Sequence, residues 1–295
     1  PLKLNLGESG YYRVQYSAPA FASLLKNAQH FAPVDRANLL GDQFALFRSG
    51  QAPLSTYMDL ADSLLSAQES DIAVLQEIIE RFETLDQYLK GSADRAPFRA
   101  YARKQLAPVL ARLGWDQKAD ESVLDTMLRP SVIAALGTFE DPGVVADAGR
   151  RFARLQADPA SLKPDLVGVV ARIAMTHADQ KTYNAMAEKV RTTQATEVKL
   201  RLFNALAGAT DPALIEKNVA LTYSGAIPNG RIAMALGRVA EESENPDLVW
   251  KLVKQHEAEI RTHLAPWSQD GFLAAIAAYS DNPAIAQALE ADPFS

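Results

Sequence analysis

The sequence predicts an all-α protein: a HEAT/armadillo-like superhelical stack of antiparallel helix pairs, preceded by one short N-terminal strand. Three observations predict it. After Pro19, apolar residues recur at steps of three and four, the period of an amphipathic helix. Asp141-Pro142, Asp158-Pro159, Asp211-Pro212, Asn245-Pro246 and Asn282-Pro283 each set a capping side chain ahead of a proline suited to a first helical turn. Finally, Asn5 to Tyr16 alternates at a period of two, with Tyr12, Val14 and Tyr16 on one side and Tyr11, Arg13 and Gln15 on the other.

The strand comes first. Gly7 and Gly10 loosen the backbone ahead of it. A lone strand cannot satisfy its own hydrogen bonds, so it either docks on the helices or completes a sheet supplied from upstream. The second reading is preferred. It makes residues 1–17 a strand-like lead-in from a missing upstream domain and residues 18–295 a helical, solenoid-like C-terminal domain.

A first helix runs from the Ser17-Ala18-Pro19 cap through Ala28, with Phe21, Leu24, Leu25 and Ala28 on one stripe. Pro33 opens a second, which stops at Gly50, and Pro53 a third, carrying Leu54, Tyr57, Met58, Ala61, Leu64 and Leu65. Ser70-Asp71 starts a fourth, Ile72 to Lys90, ended by Gly91. The stretch Pro97 to Leu113 reads as helical with a kink expected at Pro108, and Gly114-Trp115 as a turn. Pro130, Pro164, Pro228 and Pro266 also read as helix openers. The runs between these marks are roughly 12–18 residues, ordinary helix lengths. Paired, they give units of roughly 34–47 residues, the spacing of helical solenoids. No Gly/Ser-rich or Pro-rich linker divides the chain, and soft seams are expected near Gly91–Ala96 or Gly114–Lys118.

The 295 residues, 48% hydrophobic and 22% charged, are ordinary for a folded protein with a large core. A net charge of −6 argues against nucleic acid as a partner, because such binding needs clustered cations. The absence of cysteine excludes disulfides and cysteine-ligated zinc but leaves the compartment open, cytoplasmic or periplasmic/secreted. No apolar run approaches the ~20 residues of a membrane span. The chain opens on Pro1 with no signal-like segment, which predicts a processed or trimmed product.

No catalytic constellation is legible. His256-Glu257-Ala258-Glu259-Ile260 begins like His-Glu-x-x-His, but Ile260 stands where the second ligand must be, and His263 lies two turns away. His30 and His177 are isolated. The i,i+3 pairs Asp59 with Asp62 and Glu77 with Glu80 read as solvated helix faces. Catalytic and metal-binding residues are therefore expected to be none, with no cofactor in this chain.

Two places carry more information. Asp42 sits mid-helix among Leu39, Leu40, Phe44 and Ala45, where a carboxylate is costly unless paired. An ionic clamp with Arg13 or Arg36 is expected. Arg231 and Arg238 share a stripe on a helix read from Pro228 to Glu242 and rich in small residues, an arrangement suited to lining a substrate cavity that holds a carboxylate. The alternative reading makes them partners for Glu241, Glu242 and Glu244 or a solvated face.

Asn5 followed by Gly10-Tyr11-Tyr12-Arg13-Val14-Gln15-Tyr16, and then Asp35-Arg36-Ala37 with Asp42 six residues past Arg36, resembles the start of the C-terminal helical domain of aminopeptidase N-type zinc peptidases, the domain shared with endoplasmic-reticulum aminopeptidases. Leu113-Gly114-Trp115, Ala205-Leu206-Ala207 and Leu248-Val249-Trp250 are later echoes. The resemblance implies an all-helical bowl that covers a thermolysin-like catalytic domain and encloses the chamber where peptides lose their N-terminal residues. It implies zinc, its ligands and the catalytic Glu in the parent enzyme, upstream of this chain. The implied partners are the catalytic domain of the same polypeptide and peptide substrates. One departure stands out: relatives often carry Gln-Asp where this chain has Gly230-Arg231. The competing reading is an independent helical-repeat scaffold that binds a protein or peptide.

Overall fold

The computed structural model describes residues 2–292. Within them the chain forms sixteen α-helices and a few short 3-10 turns, with no strand among the described residues. By packing it divides into two compact units, Pro1–Val144 and Val145–Ser295.

The first unit holds α1 (Ala18–Leu25), α2 (Pro33–Arg48), α3 (Leu54–Ser66), α4 (Ile72–Tyr88), α5 (Arg95–Leu113), α6 (Val123–Thr138) and the start of α7 (Pro142–Ala157). Helix α4 packs on both α2 and α6, while α3 covers α2 and α5 lies against α4 and α6. Alternate helices thus form one layer and the helices between them a second. The core follows from periodicity: Leu39, Leu40 and Phe44 of α2 meet Tyr57, Leu60 and Leu64 of α3 and Leu75, Ile78 and Phe82 of α4, all buried. Each such side chain contributes about 1.5–3 kcal/mol by leaving water.

The second unit repeats the scheme with α8 (Pro164–Thr176), α9 (Gln180–Thr192), α10 (Thr196–Ala207), α11 (Pro212–Tyr223), α12 (Ile232–Glu242), α13 (Pro246–Gln255), α14 (Glu257–His263), α15 (Ala274–Ala277) and α16 (Pro283–Glu290). One layer runs α8, α10, α12, α15, and the other includes α9, α11 and α13. Gly237 allows α12 to press against α15: a Cβ there would lie 3.2 Å from the Ala275 carbonyl oxygen.

The helix starts have visible chemical causes. Asp71, Asp179, Asp211, Asn245 and Asn282 each accept a hydrogen bond from a backbone N–H of the following first turn. Proline is a less reliable mark. Pro130 does not open a helix; it lies inside α6, whose start is set by Ser122 accepting from the Asp125 amide. Helix α5 runs on through Pro108. Pro228 leads into a 3-10 turn that runs directly into α12 at Ile232, whereas Pro266 opens a 3-10 turn alone.

The expected N-terminal strand is absent. Residues 12–17 carry no regular structure and have no neighbouring strand to pair with. Side chains supply the acceptors instead. The Val14 amide donates to Asp42 Oδ2 at 3.1 Å, the Leu4 amide to the Tyr16 hydroxyl at 3.0 Å, and the Gly10 amide to Asn5 Oδ1 at 2.7 Å. The alternation fails in the same place: Val14 is buried, but Tyr12 is exposed.

Candidate functional site

Helix α2 turns an unusual face toward the N-terminal segment. Asp35, Asn38 and Asp42 stand at i, i+3 and i+7, one stripe of a helix, and all three are buried. Lys3, itself buried, reaches Asp35 at 2.9 Å and Asn38 at 3.1 Å, while the Gly7 amide donates to Asp35 at 2.8 Å. About one turn beyond Asn38, Asp42 receives Arg13 Nη1 and the Val14 amide, both at 3.1 Å. Arg13 crosses α2 at Gly41, its Nη1 lying 3.4 Å from where a Cβ would sit. Asn5 adopts a left-handed conformation, φ 55°, and closes the loop by bonding Gly10 through both its amide oxygen and nitrogen.

Arg36 has a different partner. It grips Glu69 with two hydrogen bonds, 2.6 and 2.9 Å, and donates to the Phe31 carbonyl, so it ties α2 to the turn before α4. Lys3 and Asn38 were not picked out by sequence reasoning, and Asp35 only as part of the Asp35-Arg36-Ala37 motif. The signal was present: a polar stripe at helical spacing on α2, opposite a segment in which Lys3 and Asn5 alternate with Leu2, Leu4 and Leu6.

The outer side of this segment is apolar. Leu2, Leu4, Leu6, Tyr11 and Tyr12 are all exposed, Tyr11 completely. An open cavity of about 420 Å³ lies among Asn5, Glu8, Tyr11, Tyr12, Arg13 and Asn38.

In the second unit, Arg238 lies on α12, and Arg231 ends the 3-10 turn that leads into it. Arg238 bonds Glu241 at 2.7 Å and Glu242 at 3.3 Å, its own neighbours one turn on, and Glu242 is also approached by Arg172 of α8 at 3.6 Å. Arg231 is exposed and makes no ion pair among the described residues.

The remaining candidates are accounted for structurally. His256 stacks on Tyr223 with ring centroids 5.9 Å apart, and His263 lies 6.4 Å from the same ring. With Ile260 buried beneath them, these side chains do not fit a zinc site. Asp62 accepts from Tyr101 and from Gln105, and the Tyr101 hydroxyl is pushed up by burial and by that carboxylate. Glu77 and Glu80 both engage Arg81.

Comparison with known proteins follows the same outline. The family described as the ERAP1-like C-terminal domain matches residues 1–291. The chain is similar to Aminopeptidase M1 of Arabidopsis thaliana, 28% identical over 86% of this chain and 30% of that protein. It is similar to Aminopeptidase 2 of Candida albicans, 27% identical over 73% of this chain and 24% of the relative. It is also similar to the Glutamyl aminopeptidase of Bitis rhinoceros, 25% identical over 86% of this chain and 27% of the relative. The chain therefore spans less than a third of the length of these relatives.

Proposed function

The chain belongs to the ERAP1-like C-terminal domain family, and on that premise we propose that it is the non-catalytic helical part of a zinc aminopeptidase. The parent enzyme removes N-terminal residues from peptides. This part stacks its helix pairs in a HEAT-like manner and encloses the peptide chamber of a catalytic domain in the same polypeptide. The alternate-helix layering within each unit supports the stacked reading, and the aminopeptidase relatives support the activity.

One observation carries the assignment of the partner. From Leu2 to Leu6 the segment is inside out: polar Lys3 and Asn5 are buried against this chain while Leu2, Leu4 and Leu6 face away at 73, 46 and 65% exposure. Apolar side chains alternating outward next to exposed Tyr11 and Tyr12 form a surface that water alone does not favour. The catalytic domain is the partner proposed to cover it, and the contacts of Lys3 with Asp35 and Asn38, together with the Val14 amide on Asp42, hold that surface in place.

Aminopeptidase assays on aminoacyl-anilides test the reading. The full-length polypeptide is expected to release the anilide and to lose that activity on zinc chelation, while this chain alone releases none. An inactive full-length protein, or zinc-dependent activity in this chain alone, overturns it.

A further inference from the structure

An asparagine side-chain amide is most open to attack by the next backbone nitrogen when glycine follows, because glycine has no Cβ to hold the two apart. The chain has nine asparagines, and Asn229 alone precedes glycine. Among the described residues, Asn5, Asn38, Asn218, Asn245 and Asn282 have their side chains held in hydrogen bonds. Asn204 is exposed, but it stands inside α10 ahead of Ala205. Asn229 and Gly230 are both exposed, and the Asn229 side chain makes no hydrogen bond among the described residues.

The local backbone leaves the nucleophile available. Residues Asn229–Arg231 form one 3-10 turn between Pro228 and α12. Its closing bond runs from the Arg231 amide to the Pro228 carbonyl at 2.8 Å, so the Gly230 amide comes before that bond and is an orphan donor of the turn. The Asn229 carbonyl is engaged. It accepts from the Ile232 amide and, at 3.4 Å, from the amide of buried Ala265. Ring closure requires Asn229 to rotate out of the turn, which opens the bonds of Arg231 and Ile232. Two such bonds slow the reaction by roughly ten- to a hundredfold against an unfolded chain.

We propose that Asn229 is a site of spontaneous deamidation that lengthens the backbone at the start of α12. The Gly230 nitrogen loses its proton and bonds to Asn229 Cγ; the Cγ–Nδ2 bond breaks, and ammonia leaves carrying that proton. Water then opens the succinimide. Opening at Cγ yields aspartate. Opening at the main-chain carbonyl yields isoaspartate, whose chain runs through Cβ and Cγ. No oxidant or reductant takes part. Aspartate adds only a negative charge ahead of α12, where the helix dipole favours it. Isoaspartate moves the carbonyl that held Ala265 onto a side branch, so the start of α12 loses its tie to the segment after α14.

The test ages the full-length protein at mildly alkaline pH, natively and in urea. Peptide mapping reads the amide-to-acid mass change, and an isoaspartyl carboxyl methyltransferase with labelled S-adenosylmethionine reads the lengthened product. Asn229 is expected to convert faster than any other asparagine, and faster as pH rises, since the attacking nitrogen must lose its proton. Its native rate should lie within about a hundredfold of the rate in urea. Asn229→Gln, which keeps the amide but must close a larger ring, should abolish methyl uptake at this position. Gly230→Ala is a poorer control, because a Cβ there would meet the Trp267 ring at 3.2 Å. Hydrogen exchange at the Ala265 amide should quicken in the isoaspartyl fraction and stay unchanged in Asn229→Asp. A native rate more than about a hundredfold below that in urea, methyl uptake that maps instead to the exposed Asp270-Gly271 pair, or equal Ala265 exchange in the isoaspartyl and Asn229→Asp proteins overturns the inference.

Discussion

Removing the Asp42 carboxylate, by Asp42→Ala, tests what locks the N-terminal segment to α2. The group is 1% exposed and serves two donors, Arg13 Nη1 and the Val14 amide, each at 3.1 Å. They are not equal. The Arg13 side chain is 61% exposed, so its share is that of a surface pair, about 0–1 kcal/mol. Val14 is 6% exposed, and an orphaned buried amide costs about 1–3 kcal/mol. The loss is therefore about 2–3 kcal/mol, mostly from the amide, and the Asp42–Arg13 coupling in a double-mutant cycle stays below about 1 kcal/mol. Native-state hydrogen exchange at Gly10 is the cleanest assay, since that amide bonds Asn5 and keeps its own partner. Its protection should fall by roughly 30- to 150-fold as the segment opens. Unchanged protection, or a coupling of about 3 kcal/mol or more, would refute the ranking and make Arg13 the main anchor.

Asp86→Ala, which strips a fully buried carboxylate from the double grip of Arg95 and Arg99, should cost about 3–5 kcal/mol and lower the melting temperature by roughly 6–20 °C. Burial alone would raise the Asp86 pKa, but the hydrogen bonds from Arg99 and Arg95 outweigh it and hold the group below its ordinary value. Its stabilisation is thus present at neutral pH and lost as pH falls through the depressed folded-state value, an acid sensitivity that Asp86→Asn should remove. Tyr57→Phe should be neutral or stabilising in thermal unfolding, because the buried Tyr57 hydroxyl has no hydrogen-bond partner among the described residues; a loss of more than about 1 kcal/mol would mean that the hydroxyl is satisfied. Gly237→Val should destabilise by about 1–3 kcal/mol in urea unfolding by forcing α12 off the Ala275 carbonyl.

The helices were legible because their causes are local. Asp71, Asp211, Asn245 and Asn282 cap the helices that follow them, and the step of three and four buries Leu75, Ile78 and Phe82 as it must. Pro130 misled because proline marks a start only when its missing N–H falls in the first turn, and a helix already capped at Ser122 can carry it inside. The strand misled for a non-local reason. Tyr11 to Tyr16 alternates, but alternation needs a neighbouring strand to become a ladder, and here Asp42 takes the Val14 amide. At the site, Asp42 stood out because four apolar residues, Leu39, Leu40, Phe44 and Ala45, surround it in sequence, and Arg13 does lie on it. Lys3 stayed invisible, since a lysine near a chain end reads as solvated until the fold buries it against Asp35.

The polar stripe on α2 and the inverted segment above it have one physical explanation. A core helix that packed only on its neighbours would carry leucine or valine at positions 35, 38 and 42. Three buried polar groups there are costly unless each finds a partner, and each does, in Lys3, Gly7, Arg13 or Val14. Such pairing adds little to net stability compared with apolar packing of the same volume. What it does fix is position: Lys3 can satisfy Asp35 and Asn38 in one register only, and that register turns Leu2, Leu4 and Leu6 outward. A segment held this way behaves as a rigid edge. That is the property a surface needs if it is to be covered by a partner without first paying the entropy of ordering itself.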